Sequence, residues 1–527
     1  METPVIICLD ATRLNSCVYE PVLGDLSAVR LAERQAAALQ QATGGELVGF
    51  TDDTTRHTPP GRVVHHAQWS EQTLTSALAE CSAGKGRHAS LVVLRADAPL
   101  LLRDETDALL QQHQHYFAHY SFCDGYPSGC TPEVVSADAV PLLQGLAQSD
   151  VPFSSLFSVV ERDINSFDIE TRISPRDYRL LRLVFRTDSR RNHLLCRRIL
   201  EAMYPDELRV SADPGGLTAA ADHAADTDSQ LLRQVLDSNP GLFRTLPASL
   251  NWVLHGASSR PAGYMPHTSA DSLPLSRQPA ADAALVVSSA REFAELAGDG
   301  TLVLSHVGEP AEYPGITGLV ADCAATGLKI VVETDGIGWD SAAVNRLADD
   351  LQKRGQLDAV TWIVFLDAHD PDVYARIRPN ANLEQALAGY EILNTAFPDT
   401  VYVQATRMQL NEAHLLEFYR YWKERTERII VQKYNRYAGK LPDQQVADTS
   451  PIQRMPCWRL KREITVLPDG SMAMCHVDLF DPQVFGRIGE QPLSELWERH
   501  ARMYQLHLET SYPALCVNCD EYYTFTF

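Results

Sequence analysis

Short apolar runs alternate with longer amphipathic stretches along most of the chain. Val5 to Leu9 and Ser90 to Leu94 have the length and composition of buried strands. Between them, Leu26 to Gln41 places apolar residues at intervals of three and four, as a helix does. Helices that cover a largely parallel sheet produce this alternation, so the sequence predicts an α/β protein.

The middle of the chain carries a second series of strand candidates, each followed by a helical stretch. Six β/α units in succession predict a barrel or a partial (β/α)6 barrel of the TIM type. The six candidates are Ser249 to Leu254, Thr301 to Ser305, Lys329 to Glu333, Trp362 to Leu366, Val401 to Thr406 and Ile429 to Lys433.

Two changes in composition predict the domain boundaries. Residues 211–229 are rich in Ala, Asp and Gly, with Leu217 as their one bulky apolar residue. Residues 440–454 are polar, and the chain beyond them is rich in Cys, Trp, Gly and aromatic residues. We therefore expect a first domain at 1–210, a linker or helical bridge at 211–244, the barrel at 245–454 and a small domain at 455–527.

Composition narrows the class of protein. A chain of 527 residues with 45% hydrophobic and 22% charged residues is globular rather than disordered. Its formal charge of −22 opposes binding to nucleic acids and anionic membranes over most of the surface. No apolar run approaches the roughly 20 residues of a membrane-spanning helix, and the N-terminus enters a strand pattern without a basic leader. We expect a soluble, cytoplasmic protein whose partner is a protein or a small molecule.

Four of the eleven cysteines lie near the C-terminus at spacings that suggest shared ligation. Four thiolates complete the shell of a soft metal ion or of a cubane iron–sulfur cluster. The turn sequence Pro468-Asp-Gly470 folds two strands into a hairpin, and a Cys-x2-Cys pair sits on one tight turn. The chemistry alone leaves zinc, a 4Fe–4S cluster and four buried apolar thiols open. The four are Cys457, Cys475, Cys516 and Cys519.

These cysteines belong to a longer ordered pattern, which consists of Cys457-Trp-Arg-Leu, Ile464-Thr-Val-Leu-Pro-Asp-Gly470, Cys475, Gly486-Arg-Ile-Gly489, Leu493-Ser-Glu-Leu-Trp497 and Cys516-x2-Cys519. This pattern resembles a SPASM domain, which binds auxiliary 4Fe–4S clusters behind radical SAM enzymes. A SPASM domain with seven cysteines holds two clusters, so the resemblance implies one cluster for the four cysteines here. The closing segment from Cys519 to Phe527, together with the long N-terminal extension, resembles the spiro-SPASM family.

The predicted barrel carries segments that resemble a radical SAM domain. Ser305-His-Val-Gly-Glu-Pro310 is similar to the Gly-Gly-Glu-Pro segment of that family. The resemblance implies that Gly308 and Glu309 contact the methionyl amine of S-adenosylmethionine. Glu333-Thr-Asp-Gly336 resembles the family's Thr-Asn-Gly turn, and Asp367-Ala-His-Asp-Pro371 resembles the end of its fourth strand.

The three thiolates of a radical SAM cluster are missing from this barrel. A radical SAM cluster needs three cysteines near the first barrel strand, which leave one iron free for the cofactor. In the matching segment, residues 251–266, the expected positions fall near Ser258, Ala262 and Met265, and residues 197–322 contain no cysteine. We therefore expect no reductive cleavage of S-adenosylmethionine.

The first domain resembles the Rossmann-type fold of sugar-nucleotide cytidylyltransferases. The likeness lies in Val5-Ile-Ile-Cys-Leu-Asp-Ala-Thr-Arg13 with Pro21-Val-Leu-Gly24, and in Arg95-Ala-Asp-Ala-Pro-Leu100. It implies that Asp97 holds a catalytic Mg²⁺, while a turn-capping role for Asp97 stays open. Arg13 is the one cation of the phosphate loop.

This loop departs from that of a working nucleotidyltransferase. Residues 10–20 contain no glycine, and Val22 stands where those enzymes have a lysine. Phosphate binding needs close backbone amides and positive charge. We expect a nucleotide-sized cleft near Arg13, Asp97 and Tyr126 with poor or no turnover.

Three functional hypotheses follow. The first is a 4Fe–4S-binding protein that acts in recognition or electron transfer and is not a radical SAM catalyst. The second is an enzyme that retains nucleotidyl transfer or another use of S-adenosylmethionine. The third is a scaffold whose metal centre is structural zinc.

Overall fold

The computed structural model describes residues 3–205, 226–266, 274–305 and 307–524. The chain forms two compact units, residues 1–245 and 246–527. Both combine helices with sheets that are mainly parallel, so the predicted α/β class is confirmed. Residues 211–225 of the predicted linker lie outside the described residues, as does His306 of the predicted cofactor segment.

The first unit is built on a seven-stranded sheet with the order β5-β4-β1-β6-β8-β7-β9. Strand β1 is buried along its whole length and pairs in parallel with β4 and β6, as its continuous apolar run predicts. The two strands β2 and β3 form a separate small sheet. The strands are β1 (Val5–Ala11), β2 (Pro21–Leu23), β3 (Leu26–Ser27), β4 (Glu46–Thr51), β5 (Arg62–His65), β6 (Ser90–Arg95), β7 (Tyr120–Asp124), β8 (Glu133–Ser136) and β9 (Ile169–Ile173).

Helices of the first unit begin at capping side chains that accept backbone N–H groups. Ser70 accepts from Thr73 at α2, and Asp228 accepts from Gln230 at α7, which satisfies donors that the first helical turn leaves unpaired. The helices are α1 (Ala28–Thr43), α2 (Glu71–Ser82), α3 (Arg103–Tyr116), α4 (Val140–Leu146), α5 (Phe157–Val160), α6 (Arg190–Met203) and α7 (Ser229–Ser238).

Helix α7 lies in the segment that the sequence predicts as a linker or bridge. Its residues Leu232, Val235 and Leu236 are buried in the same core as strand β1. The apolar stripe of this helix therefore contributes to the core of the first unit, and the described residues 226–244 lie within that compact unit.

The second unit is built on an eight-stranded sheet with the order β15-β14-β13-β12-β11-β10-β16-β17. All neighbours from β15 to β16 pair in parallel, and β10 to β15 lie at the six predicted positions. The strands are β10 (Ser249–Trp252), β11 (Thr301–Leu304), β12 (Lys329–Thr334), β13 (Val360–Phe365), β14 (Val401–Arg407), β15 (Ile429–Lys433), β16 (Glu463–Val466) and β17 (Met472–Ala473).

Helices follow the strands of this sheet and bury their apolar faces in one continuous core. Asp282 and Asp340 cap α8 and α10 with their side-chain carboxylates. The helices are α8 (Ala283–Ala297), α9 (Ile316–Ala324), α10 (Ser341–Lys353), α11 (Pro371–Ile377), α12 (Leu383–Ala396), α13 (Leu415–Lys423), α14 (Trp458–Arg462), α15 (Leu493–Leu508) and α16 (Ala514–Val517).

The predicted C-terminal hairpin is confirmed, but it does not form a separate unit. Strands β16 and β17 pair antiparallel around the turn that contains Gly470. Strand β16 also pairs in parallel with β10, with Ser249 opposite Glu463. The residues predicted as a barrel and as a third domain therefore share one sheet and one compact unit.

Helix α12 touches the turn after β12 at a point where only glycine fits. A Cβ on Gly389 would lie 1.5 Å from the carbonyl oxygen of Gly336, whose own φ is +81°. The helix therefore packs directly on the backbone of the Thr334-Asp-Gly336 turn, and this contact fixes the turn beside the sheet.

Replacing Gly389 by Ala is expected to lower the free energy of unfolding of the second unit by about 3 kcal/mol or more, because the added methyl overlaps backbone. Gly318→Ala is the matched control, since Gly318 is also helical and a Cβ there meets nothing within 4 Å. It should raise stability by about 0.5–1 kcal/mol. Denaturant titration monitored by tryptophan fluorescence measures the unfolding of this unit, because it contains six of the seven tryptophans. Equal stability of the two variants would contradict the packing argument.

Candidate metal centre

The four C-terminal cysteines come together in the second unit. Cys457 precedes α14, Cys475 follows the hairpin strand β17, Cys516 lies in α16, and Cys519 lies just beyond that helix. Cys457 and Cys516 are buried, and the other two are partly buried. Each thiol interacts electrostatically with at least two of the other three. Three separate chain segments therefore bring the predicted ligand set to one place.

The surroundings of the thiols keep them protonated when no metal is bound. Burial raises the pKa of all four, to about 12 for Cys516 and Cys519. The backbone N–H of Glu521 donates to the Cys519 sulfur at 3.4 Å. Such N–H···S contacts stabilise thiolates and influence the potential of a bound cluster.

Two kinds of metal centre differ in the distance that they require between their thiolate ligands. A tetrahedral zinc ion draws its thiolates to within about 3.8 Å of one another, since each Zn–S bond is about 2.3 Å long. A cubane cluster holds each thiolate on a different iron atom, so its ligands stand farther apart. Within the described ranges, no three His, Cys, Asp or Glu side chains lie close enough together to hold a single ion. Four free thiols in one region are a donor set that fits an iron–sulfur cluster, and on chemistry alone they fit zinc as well.

A buried charged network connects the cysteine-bearing segments to strand β15. Arg459 donates to Glu463 at 3.0 Å and to Glu521 at 3.4 Å. Lys433 forms ion pairs with Glu521 at 2.7 Å and with Asp520 at 2.8 Å. Because these residues flank Cys457 and Cys519 in the chain, the network positions both ligands against the sheet.

A small cavity lies between this network and the carboxyl ends of the parallel strands. Its volume is about 110 Å³, and Ser305, Glu333, Lys433, Arg459 and His476 are among its lining residues. Burial lowers the pKa of His476, so its ring is neutral at physiological pH. Pockets for small organic ligands usually have about 300–1,000 Å³, so this cavity is small.

Gly308 and Glu309, which the resemblance assigns to S-adenosylmethionine, lie inside the second unit. A Cβ on Gly308 would lie 2.2 Å from the carbonyl oxygen of His255, which explains the glycine. Glu309 is fully buried and accepts hydrogen bonds from Thr334 Oγ1 at 2.5 Å and from the N–H of Asp335 at 2.8 Å. Burial and the charge of Asp335 raise the pKa of Glu309 to about 8.

The segment that would carry the radical SAM cysteines is packed against the rest of the unit. Ala262 and Met265 are buried, and Ser258 Oγ accepts from the N–H of Arg260 at 3.1 Å. Arg260 also forms an ion pair with Glu312 at 3.2 Å. Side chains of Ser, Ala and Met cannot supply three thiolates, so these positions do not fit a radical SAM cluster.

An ion pair between Asp367 and Arg378 is buried behind this segment. The two side chains are 3.1 Å apart, and each is at most 1% exposed. The Asp367 carboxylate also accepts from the Tyr264 hydroxyl at 2.7 Å and from the N–H of Thr406 at 2.9 Å. The positive φ of Asp367, +59°, turns the chain at this point.

In the first unit, Asp97 is held by two arginines. Its carboxylate accepts from Arg186 Nη2 at 2.7 Å and from Arg95 Nε at 3.3 Å. Burial alone would raise the pKa of Asp97, but the charges of Arg95 and Arg186 keep this pKa below its usual value. A carboxylate whose oxygens face two guanidinium groups does not fit the predicted Mg²⁺ site, because a cation there would meet two positive charges.

The other two residues of the predicted cleft lie in different environments. Tyr126 lines a cavity of about 340 Å³ together with Arg95 and Arg186. Arg13 is exposed, has a φ of +52°, and donates its backbone N–H to Asp52 at 2.7 Å. Arg13 is not among the residues that line the cavity.

The sequence analysis missed the charged partners of these residues. Nothing in the sequence near Arg378 points to Asp367 as its partner, and Lys433 and Glu521 are 88 positions apart. Arg95 lies two positions before Asp97, and this short spacing is the one local signal in the sequence for a charged partner of Asp97.

Residues 457–520 match the family model of the SPASM domain, an iron-sulfur cluster-binding domain. This range contains all four cysteines of the candidate centre. The second unit of the protein therefore contains a SPASM domain.

The chain belongs to the same family as a protein of Treponema pallidum (strain Nichols) that is described as an uncharacterized protein. The two are 32% identical over 383 residues, which cover 71% of this chain and 99% of that protein. A second uncharacterized protein of the same organism is 44% identical over 59 residues, 11% of this chain and 27% of that protein.

Similar solved structures come from two kinds of protein. Streptococcus suis SuiB bound to precursor peptide SuiA is 12% identical, covering 62% of this chain and 84% of that chain with a TM-score of 0.41. A cytidylyltransferase from Leptospira borgpetersenii is 15% identical, covering 46% of this chain and 96% of that chain with a TM-score of 0.35. In the described part of the chain, no helix is both long and apolar enough to cross a membrane.

Replacing Arg378 by Ala is expected to destabilise the second unit by about 3–5 kcal/mol, because Asp367 would remain as a buried charge without its cation. The exposed Arg376, two positions earlier, is the matched control, and Arg376→Ala should change stability by less than about 0.5 kcal/mol. Chemical denaturation of the full chain measures both. Similar small losses for the two variants would show that the pair contributes little.

Proposed function

We propose that the protein binds one 4Fe–4S cluster through Cys457, Cys475, Cys516 and Cys519, and acts in recognition or electron transfer. The observation that carries this proposal is the convergence of four thiols from three chain segments inside the matched SPASM domain. The buried network around Arg459 supports it further, because it holds the chain segments that carry Cys457 and Cys519.

Structural zinc is the competing assignment for the same thiols. Four thiolates suit zinc on chemistry alone. The match of residues 457–520 to an iron-sulfur cluster-binding domain favours the cluster. The protein would then contribute a redox-active or recognition centre rather than a structural metal.

Our proposal excludes radical chemistry on S-adenosylmethionine. We interpret the six parallel strands β10 to β15 as a partial barrel of radical SAM type that lacks its cysteine triad, as in a spiro-SPASM protein with a degenerate nucleotidyltransferase-like first domain. The packed segment at residues 258–265 and the buried Asp367–Arg378 pair support this interpretation, because they use the space near the first strand for side-chain contacts.

The proposal includes a location and a class of partner. Thiolate ligands must stay unoxidised to hold a cluster, so we assign the protein to the reducing cytoplasm. The charge of −22 supports a protein or small-molecule partner over nucleic acid or an anionic membrane.

Anaerobically prepared protein is expected to contain about four iron atoms and four acid-labile sulfides per chain, because one cubane carries this stoichiometry. Metal and sulfide analysis with an absorption spectrum measures it. Stoichiometric zinc without labile sulfide would refute the cluster and favour the zinc scaffold.

Cys516→Ala is expected to lose most of the bound iron, because three thiolates leave one iron of the cluster without its protein ligand. Cys323→Ala is the matched control, since Cys323 is a buried cysteine of the same unit that lies in α9, away from the SPASM match. This control should keep its iron. Iron and sulfide contents after identical anaerobic reconstitution are compared, and equal retention by both variants would remove Cys516 from the ligand set.

Reduced, reconstituted protein is expected to form no 5′-deoxyadenosine from S-adenosylmethionine above a heat-killed control. The reason is that residues near Ser258, Ala262 and Met265 provide no thiolate to anchor the cofactor-binding iron. Chromatography of the reaction products tests this. Formation of 5′-deoxyadenosine at several times the control level would restore the radical enzyme hypothesis.

A further inference from the structure

We propose that the cavity of the first unit is a metal-independent binding site for a nucleoside-like molecule, meaning a planar ring joined to a hydroxyl-bearing group that carries at most one phosphate group. This inference concerns the first unit and does not depend on the metal centre. It starts from the misfit between Asp97 and Mg²⁺.

The two acidic groups nearest the predicted metal position already have cationic partners. Arg186 donates hydrogen bonds from Nε and Nη2 to the Asp97 carboxylate. Arg95 contacts Asp97 at 3.3 Å and Asp10 at 3.1 Å. A divalent cation would have to displace both guanidinium groups from carboxylates that are at most 8% exposed. The arginines therefore contact the carboxylate oxygens that a metal ion would need.

The charges at the cavity limit how many negative charges a ligand can carry. Two guanidinium groups, Arg95 and Arg186, stand beside three carboxylates, those of Asp10, Asp97 and Glu133. A nucleoside triphosphate would add several more negative charges at short distance without a cation to offset them. A neutral molecule avoids this repulsion, and a single phosphate monoester, with a charge of about −1.5 to −2 at pH 7, meets less of it than a triphosphate does.

Aromatic side chains provide a surface for a planar ring. Tyr120, Phe122 and Phe157 all line the cavity, with ring centroids 5.7 Å apart for Tyr120 and Phe122 and for Phe122 and Phe157. Glu133 fixes this wall, since it accepts from the Tyr120 hydroxyl at 2.6 Å and from the N–H of Phe157 at 2.9 Å. Aromatic rings of a ligand stack on such side chains.

The polar lining residues of the cavity suit a polar group of the size of a sugar. Ser128, Ser154 and Ser155 line it, and Nη1 of Arg186 makes no hydrogen bond or ion pair with the described residues. The volume of about 340 Å³ falls in the range of small-molecule pockets. Gly125 and Gly129, with φ of +84° and +93°, shape the loop that presents Ser128.

A charge series of probes tests the proposal by calorimetry on the full chain. The probes are cytidine and adenosine, their monophosphates and their triphosphates. Each probe is titrated once in the presence of Mg²⁺ and once in the presence of a chelator. We expect dissociation constants of about 10 µM to 1 mM for a nucleoside or a monophosphate, no dependence on Mg²⁺, and weaker binding of the triphosphate. Tightest binding of a triphosphate that requires Mg²⁺, or no binding of any probe, would overturn the proposal.

Asp97→Asn separates a salt-bridge partner from a metal ligand. Removing this charge releases Arg186, so monophosphate binding should tighten by about three- to tenfold, still without Mg²⁺. Loss of binding in a variant that keeps its circular dichroism spectrum would contradict the proposal. Asp25→Asn, an exposed acidic residue of the same unit, is the matched control and should bind as the unmodified protein does.

Phe122→Ala tests the aromatic wall without altering any charge. Losing one stacking ring should weaken nucleoside binding by about tenfold. Phe117→Ala is its control, because Phe117 is 61% exposed and does not line the cavity. Unchanged affinity in Phe122→Ala would exclude ring stacking at this wall and refute the proposed ligand class.

Discussion

The second unit depends on one buried carboxylate, that of Asp367. It accepts hydrogen bonds from Tyr264, Thr406 and Arg378, while its own backbone carbonyl accepts from Asn411 at 2.9 Å. Taking a carboxylate and a guanidinium out of water costs several kcal/mol for each ion, and the cost is offset only when all partners are in place. The loop after β10, the end of β13, helix α11 and strand β14 therefore become ordered together.

This constraint also explains why the strand ends of this unit differ from those that would form an open iron site. An open coordination site for an iron atom needs space and thiolates near the first strand. In this chain, the loop after β10 supplies Tyr264 to Asp367 and Arg260 to Glu312. Gly308 and Glu309 thus resemble the radical SAM segment, although the neighbouring loop makes side-chain contacts within the unit. Glu309 itself accepts hydrogen bonds from the turn at Thr334 and Asp335.

The sequence was sufficient for features that depend on local patterns. The six strands β10 to β15 lie within a few residues of their predicted positions because buried parallel strands are continuous apolar runs. The four cysteines and the Gly470 hairpin were predictable because thiol spacing and turn residues are local signals. The nature of the metal, the ligand of the first unit and the domain boundaries remain predictions.

Features that join distant residues were not predictable in this way. Asp97 has the residue type of a metal ligand, but Arg186, 89 positions away, determines its role. Likewise, the burial of Leu232 and Val235 in the first core depends on neighbours from helices α3 and α6, and no periodicity indicates which core an amphipathic helix joins.

The pairing of β16 with β10 has a consequence for how the protein is made. Ser249 and Glu463 are neighbours in the sheet, although more than two hundred residues separate them in the chain. During translation, the edge formed by β10 has no partner until residues 463–466 leave the ribosome. Nascent chains therefore carry an unpaired strand edge from the emergence of residues 249–252 until that of residues 463–466, and holding chaperones act on such edges. Assembly of the cluster that we propose must come afterwards, since Cys475, Cys516 and Cys519 all emerge later than that strand.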